Sequence, residues 1–293
     1  KLLEEADIIF WVGESIETFM ERPLESIVKN AEVVEFMEVE SINKLKFREE
    51  SIFEDHDDHD DHDDHDDHDD HDDHDDHDDH DDHDDHDDHD DHDDHDDHDD
   101  HDDHDDHDDH DDHDDHSGHD HHGHAHGEFD AHIWLDPMNA KEMVHEIAHE
   151  LGDLDPANKN KYEANAQATI QALDQLVNDI EKGINKDAKF VVFHDAYQYF
   201  EERFGVRAAG ALTLNTDVLP GAKQIADIQD VIKDRGIKCI FSEPQFNPKI
   251  ITTIAEDMNI KTGVFDPLGA NIDSNKDLYF KLIQNLGNEL KGC

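Results

Sequence analysis

Histidine recurs at every third position from His56 to His116, with two aspartates between neighbouring histidines. Imidazoles and carboxylates are ligands for zinc and related divalent ions. Three residues of an extended chain advance about 9.3 Å, whereas zinc ligands lie about 2 Å from their ion. Neighbouring histidines therefore share an ion only if the chain folds back, which costs loop entropy. We expect weak, interchangeable metal sites over His56 to His126, and a tract without a selected role is the alternative.

Polar residues also end three apolar runs in the second half of the chain. His194 ends "KFVVFH", Glu243 ends "CIFSE" and Asp266 ends "TGVFD". Ligands of open parallel sheets bind at the carboxyl ends of the strands. His132, in "DAHIWLDP", lies at a loop-to-helix junction and would face these residues across a cleft. Two imidazoles with one or two carboxylates suit Zn²⁺ or Mn²⁺, and histidine favours Zn²⁺.

Each of these histidines also has a plain structural interpretation. His194 would merely cap the helix that follows it, and His132 would pack beside Trp134. The strand-end pattern marks a site without naming its ligands. Both interpretations stay open on the pattern alone.

A further metal-binding pattern lies in "HEIAHELGDLD", residues 145–155. His145 and His149 match the zinc pair of an H-E-x-x-H metalloprotease, with Glu146 as the base and Asp155 as a third ligand. The pattern also arises by chance on the solvated face of an acidic helix. No downstream feature predicts a protease cleft, so we rank this hypothesis last.

The surrounding elements predict an α/β fold. "ADIIFWVG" and "AEVVEF" have the pattern of strands, and helices are predicted over residues 14–29, from Pro137 to Leu151 and over residues 156–183. Four strand–helix units follow in a row, which indicates a parallel sheet covered by helices. We therefore predict two lobes joined by one long helix. The predicted divisions are residues 1–54 with 128–155 for the first lobe, 55–127 for a disordered His/Asp-rich loop, 156–185 for the linking helix and 186–293 for the second lobe.

Composition limits the compartment and the partners. The His/Asp run holds 41 of the 83 acidic residues, and 23 residues are basic, so the rest of the chain is moderately acidic. We expect no nucleic-acid partner and no direct membrane insertion.

The first residues read as the end of a helix followed at once by a strand, so we expect the sequence to begin inside the first lobe, downstream of any signal peptide. Cys239 and Cys293 form either one disulfide or two separate thiols.

Several motifs in fixed order resemble one known family. "ADIIFWVG", "HIWLDP", "VVFHDAYQYFEERFG", "SEPQF" and "FDPLG" are similar in order and spacing to the zinc-binding substrate proteins of bacterial ABC transporters, the ZnuA type. That family also carries a His- and Asp-rich loop before its equivalent of "HIWLDP". The resemblance covers nearly the whole chain outside the repeat.

The resemblance implies two (β/α)₄-type lobes with a single metal ion held between them. It implies that His132 and His194 are ligands and that Asp266 is a ligand or lies nearby. From its place at the same sheet edge, Glu243 is expected to support these ligands without binding the ion. The resemblance also implies a disulfide between Cys239 and Cys293. The family's first ligand lies in a "PHDY"-like motif that this sequence does not contain.

The implied function is high-affinity zinc uptake. Zn²⁺ would be cargo and not a catalytic cofactor, and the partner would be the membrane permease of an ABC transporter. The protein would be a periplasmic monomer without enzymatic activity. A manganese carrier and a metal buffer in which the repeat is the active part remain the alternatives.

Overall fold

The computed structural model describes residues 1–53, 127–214, 216 and 219–293. The predicted weak sites over His56 to His126, and all but the last residue of the predicted disordered loop, lie outside the described residues. Where the chain is described, no helix is both long enough and apolar enough to cross a membrane.

The first part of the chain contributes a short parallel sheet. β1 (Ile8–Trp11) pairs with β2 (Glu32–Glu35), with Ile8 opposite Glu32 and Trp11 opposite Glu35. Both strands occur where the sequence predicts them. Only α1 (Glu21–Ile27) and a 3-10 turn at Thr18–Met20 lie between them.

The predicted helix over residues 14–29 is wrong in its extent. α1 begins at Glu21, so that Pro23 falls in its first turn, where a missing N–H costs nothing. A helix that began at Glu14 would have placed Pro23 in its interior. The segment also forms no buried apolar stripe, because α1 has no buried residue and Phe19 is 72% exposed.

Two long helices follow the His/Asp-rich segment. α2 (Pro137–Leu154) begins at the predicted proline and runs three residues beyond the predicted end. After a 3-10 turn at Pro156–Asn158, α3 (Lys159–Glu181) continues as the longest described helix. The side chain of Asp136 caps α2 by accepting a hydrogen bond from the Met138 amide at 2.8 Å.

The four predicted strand–helix units are all present. They are β3 (Phe190–His194), α4 (Gln198–Phe204), β4 (Ala208–Thr213), α5 (Ala222–Asp234), β5 (Cys239–Ser242), α6 (Lys249–Met258), β6 (Lys261–Val264) and α7 (Leu278–Lys291). The strands pair in parallel in the order β4-β3-β5-β6. His194 is the last residue of β3 and Glu243 directly follows β5, so the two lie at the same edge of adjacent strands.

Alternating side chains of β3 enter two different cores. Phe190 and Val192 pack with the apolar faces of α3 and α7, whereas Val191 and Phe193 pack with those of α5 and α6. The first of these cores continues without a break to Phe36, Ile133 and Leu135. The apolar contacts that support the sheet therefore also hold the segment that carries His132.

A disulfide joins Cys239 to Cys293, with their Cα atoms 5.8 Å apart. It ties the first residue of β5 to the segment after α7. The pairing that the family resemblance implied is thus confirmed.

Candidate metal centre

Two of the predicted ligands face each other closely. The Nε2 atoms of His132 and His194 are 3.5 Å apart, and their ring centroids are 5.3 Å apart. His194 ends β3, and His132 immediately precedes a 3-10 turn at Ile133–Leu135. The two residues are 62 positions apart in the sequence, so the fold alone brings them together.

Each imidazole has a carboxylate on its other nitrogen. Nδ1 of His132 is 2.5 Å from Oδ1 of Asp130, and Nδ1 of His194 is 2.6 Å from Oε1 of Glu243. A neutral imidazole that donates from Nδ1 presents the lone pair of Nε2. Both carboxylates therefore select the tautomer in which Nε2 can bind a metal ion.

The carboxylates themselves are buried and held in place. Asp130 is fully buried and accepts further hydrogen bonds from the His132 amide at 3.0 Å and from Nε2 of Gln198 at 2.7 Å. Glu243 is 3% exposed and also accepts from the His194 amide at 3.3 Å. Because these bonds fix the carboxylates, they also fix the orientation of both rings.

Aromatic side chains form the walls around the pair. The rings of Trp134 and Phe246 lie 5.3 Å from His132 and 6.0 Å from His194, respectively. Burial raises the pKa of Tyr197 well above its ordinary value, and the carboxylates of Glu243 and Asp266 raise it further. Tyr197 is therefore a neutral phenol; it is fully buried 6.2 Å from the His194 ring, and its hydroxyl donates to the Phe265 carbonyl at 3.2 Å. Two further aromatic residues lie one layer behind, because Phe193 stacks on Phe246 and Phe265 packs against Tyr197.

Asp266 follows β6 but takes a different position from the two histidines. Its Oδ1 accepts hydrogen bonds from Nε2 of Gln245 at 2.8 Å and from the amides of Leu268 and Gly269 at 3.2 and 3.0 Å. These bonds shape the loop after β6. The described residues contain no group of three His, Cys, Asp or Glu side chains already placed to hold a metal ion. The structure thus brings His132 and His194 together and does not add Asp266 to them.

Comparison with known proteins gives the family. All 293 residues match the family described as "Zinc-uptake complex component A periplasmic". A curated relative from Brucella abortus (strain 2308), named "High-affinity zinc uptake system protein ZnuA", is 45% identical over 99% of this chain and 78% of its own length. The chain belongs to the ZnuA family.

Solved structures share the fold of this ZnuA-family chain. A crystal structure of ZnuA superimposes with a TM-score of 0.61 over 98% of this chain and 80% of its own, at 19% identity. The laminin-binding protein Lmb of Streptococcus agalactiae gives the same TM-score over 98% of this chain and 82% of its own, at 21% identity. Because these identities are low, the two structures support the two-lobed α/β architecture and nothing finer.

A buried ionic network beneath the histidines was not predicted from the sequence. Arg48 donates to Oδ1 of Asp195 at 2.8 Å and to Oε2 of Glu201 at 2.6 Å, and its guanidinium lies 4.0 Å from the ring centroid of Phe53. Burial raises the pKa of Asp195 to about 7, although the charge of Arg48 opposes the rise. Asp195 directly follows His194, so this network fixes the backbone beyond the end of β3.

A short antiparallel contact positions the other histidine. The Asp130 amide donates to the Leu45 carbonyl at 2.8 Å, and the Phe47 amide donates to the Glu128 carbonyl at 3.2 Å. The Tyr199 hydroxyl donates to the Asp130 carbonyl at 2.6 Å and accepts from the Leu45 amide at 2.9 Å. Residues 45–47 and 128–130 therefore anchor His132 from one side, next to the second lobe.

The predicted metalloprotease set is not assembled. His145 and His149 lie on the exposed face of α2. Asp155, the suggested third ligand, accepts hydrogen bonds from Nδ2 of Asn158 and from the Tyr162 hydroxyl. These bonds hold the turn between α2 and α3, so Asp155 stabilises the end of α2.

Proposed function

We propose that this ZnuA-family protein binds Zn²⁺ between its lobes and delivers it to the membrane permease of an ABC transporter for zinc uptake. The family description and the curated relatives' name both concern zinc uptake. The site residues of the proposal are His132 and His194 as ligands, with Asp130 and Glu243 as the carboxylates that orient them. Periplasmic location accords with the description of the family.

The observation that carries the proposal is the distance between the two imidazoles. Two nitrogens bound to zinc at about 2.0–2.1 Å, at a tetrahedral angle, lie about 3.3–3.4 Å apart. The Nε2 atoms of His132 and His194 are 3.5 Å apart. Two lone pairs directed at each other repel unless a cation lies between them. The chain's own hydrogen bonds therefore prepare half of a tetrahedral zinc site.

The two histidines leave further coordination positions for the ion, and how these are filled bears on whether the protein is a carrier or an enzyme. Asp266 is proposed as a further donor through Oδ2, since Oδ1 already serves the loop after β6. A cargo ion needs ligands that close around it and later open. It needs no nucleophile or general base, and the proposal assigns none. The lobe division predicted from the sequence places His132 in the first lobe and His194 in the second, so relative movement of the lobes would change the site.

The chemical type of the two converging ligands favours zinc over manganese. Manganese favours carboxylate, carbonyl and water ligands, whereas neutral imidazoles suit zinc. Here both converging donors are imidazoles, and the nearest carboxylates are engaged with their Nδ1 atoms. We expect Zn²⁺ to displace Mn²⁺ from the cleft.

The test is a zinc competition titration against a tight chromophoric chelator. The chelator removes zinc from the weak repeat sites, so only the tight site competes. We expect one tight equivalent per chain, and we expect His132→Ala or His194→Ala to weaken it more than about 100-fold. This loss should exceed the 10–100-fold that is typical when a residue supporting a ligand is replaced.

The matched control is His149→Ala, which removes an exposed histidine of α2 that is not part of the proposed site and leaves the tight equivalent unchanged. Circular dichroism of each variant separates lost binding from lost folding. Full affinity in both cleft variants would refute the proposed site. Tight zinc binding by the wild type that no cleft substitution alters would point to the repeat instead.

A further inference from the structure

A second pair of histidines lies outside the cleft. His145 and His149 are four residues apart on α2, and both side chains are exposed. Residues at this spacing lie on one face of a helix, with about 5–6 Å between their Cβ atoms. The same spacing lets two imidazoles bind one zinc ion in H-E-x-x-H proteins.

The pair faces a groove between two helices. His145 and His149 line a cavity of about 620 Å³, and Lys159, Glu163 and Gln167 of α3 line its other wall. The groove is open to solvent, so water can fill coordination positions that the protein leaves vacant. The wall carries the Glu163 carboxylate as well as the Lys159 ammonium, and the charge of Lys159 is paired with Asp153 at 3.2 Å.

His149 is oriented in the same way as the cleft histidines. Its Nδ1 lies 3.0 Å from Oε1 of Glu150, which leaves Nε2 as the metal-binding nitrogen. That Nε2 lies 3.7 Å from Oδ2 of Asp153, one turn further along α2. The Asp153 carboxylate would therefore attract a divalent ion bound to Nε2 of His149, while His145 lies one turn back along α2 in the opposite direction.

We propose that His145 and His149 form a second, weaker chelating site for Zn²⁺ or another divalent ion that prefers imidazole, such as Ni²⁺ or Cu²⁺. No three His, Cys, Asp or Glu side chains converge here or elsewhere among the described residues, so the site has two protein donors completed by water. It is weaker than a closed tetrahedral site for that reason. The proposal does not depend on the cleft.

The test is zinc-dependent protection of these histidines from diethylpyrocarbonate in the full chain. Trypsin cleaves after Lys141 and Lys159, and the peptide 142–159 contains His145 and His149 but no other histidine. Mass spectrometry of this peptide therefore reports on the pair without interference from the repeat. Metal buffers that fix the free Zn²⁺ concentration remove the effect of zinc taken up elsewhere.

The decisive result is the coupling between the two residues. In a chelate, the second imidazole binds at a high effective concentration. We therefore expect His149→Ala to raise the zinc concentration that half-protects His145 at least tenfold. Glu146→Gln, which keeps both imidazoles, and His194→Ala, which removes a cleft ligand, should leave that concentration unchanged. An unchanged half-protection concentration for His145 in His149→Ala, or no protection of either histidine in the wild type, would overturn the proposal, and neither result concerns the cleft.

Discussion

Each cleft histidine is hydrogen-bonded to a buried carboxylate that is itself held in place by further hydrogen bonds. Burying a carboxylate is costly unless it is paired and hydrogen-bonded. Asp130 has donors from His132 and Gln198, and Glu243 has two donors from His194. The buried carboxylates have a functional effect, because they fix the orientation of each imidazole ring before an ion arrives. The carboxylate also makes the bound imidazole a stronger donor.

Replacing Glu243 by glutamine tests this role at the scale of one residue. Glutamine is nearly the same size and would still accept a hydrogen bond from Nδ1 of His194, but it lacks the negative charge. We expect Glu243→Gln to lower zinc affinity about 10-fold and Glu243→Ala to lower it towards 100-fold. Chelator competition measures both affinities. Equal affinity for the wild type and both variants would show that Glu243 only fills space.

The two carboxylates differ in how far the sequence reveals them. Glu243 could be predicted, because it interrupts an apolar run at the same sheet edge as His194. Asp130 was missed, because it lies in a loop where no strand or helix periodicity marks it. The sequence signal for it is the spacing Asp-x-His in "DAH", which places the Asp130 carboxylate beside the imidazole of His132, two residues later. Arg48 was missed for a different reason, since its partners Asp195 and Glu201 are 147 and 153 positions away.

Among the elements, α2 links helix capping to the position of His132. Asp136 caps α2 through the Met138 amide and also accepts from Nε and Nη2 of Arg203 at 2.6 and 2.8 Å. The 3-10 turn that follows His132 ends at Leu135, directly before this cap. Arg203 belongs to α4, so one carboxylate joins the start of α2 to the second half of the molecule.

Removing this carboxylate should destabilise the fold. Asp136→Ala removes a cap worth about 1 kcal/mol and leaves Arg203 without its buried partner, so we expect a loss of about 2–3 kcal/mol in the free energy of unfolding. Arg203 is partly exposed and recovers some hydration, which keeps the loss below that of a fully buried pair. Asp136→Asn retains the cap acceptor and should lose less. Urea denaturation measures both variants, and an equal loss in the two would assign the whole effect to Arg203.

Elements were predictable where local chemistry agreed with the pattern. "LDP" indicated the start of α2 because aspartate caps a helix and proline suits its first turn. The predicted helix over residues 14–29 is wrong in its extent because Pro23 suits the first turn of a helix and not its interior, whatever the apolar spacing before it. The pairing order β4-β3-β5-β6 was not predicted, because order within a parallel sheet depends on contacts between distant strands.

At the scale of the molecule, one apolar core connects the described parts of the chain. It contains Phe36, which directly follows β2, Ile133 in the turn after His132, and the apolar face of α7. Trp134 adds polar contacts along the same path, since its Nε1 donates to the Pro267 carbonyl at 2.8 Å and its own carbonyl accepts from the Tyr279 hydroxyl at 2.9 Å. These contacts join the segment of His132 to the loop after β6 and to α7. The opening that the proposed carrier function requires would have to disrupt these contacts, so we expect small movements and not wide ones.

The disulfide completes this arrangement by tying α7 to β5, whose far end precedes Glu243. Cys239 and Cys293 are 54 positions apart, and closing a loop of that length removes entropy from the unfolded chain worth about 4 kcal/mol. We expect the double variant Cys239→Ala with Cys293→Ala to lose stability of about this size in guanidinium denaturation. Reductant should lower the stability of the wild type towards that of the variant and leave the variant unchanged. Zinc affinity of the folded variant should stay close to that of the wild type, since neither cysteine contacts the carboxylate–histidine pairs. A large loss of affinity with little loss of stability would instead mean that the disulfide sets the position of Glu243.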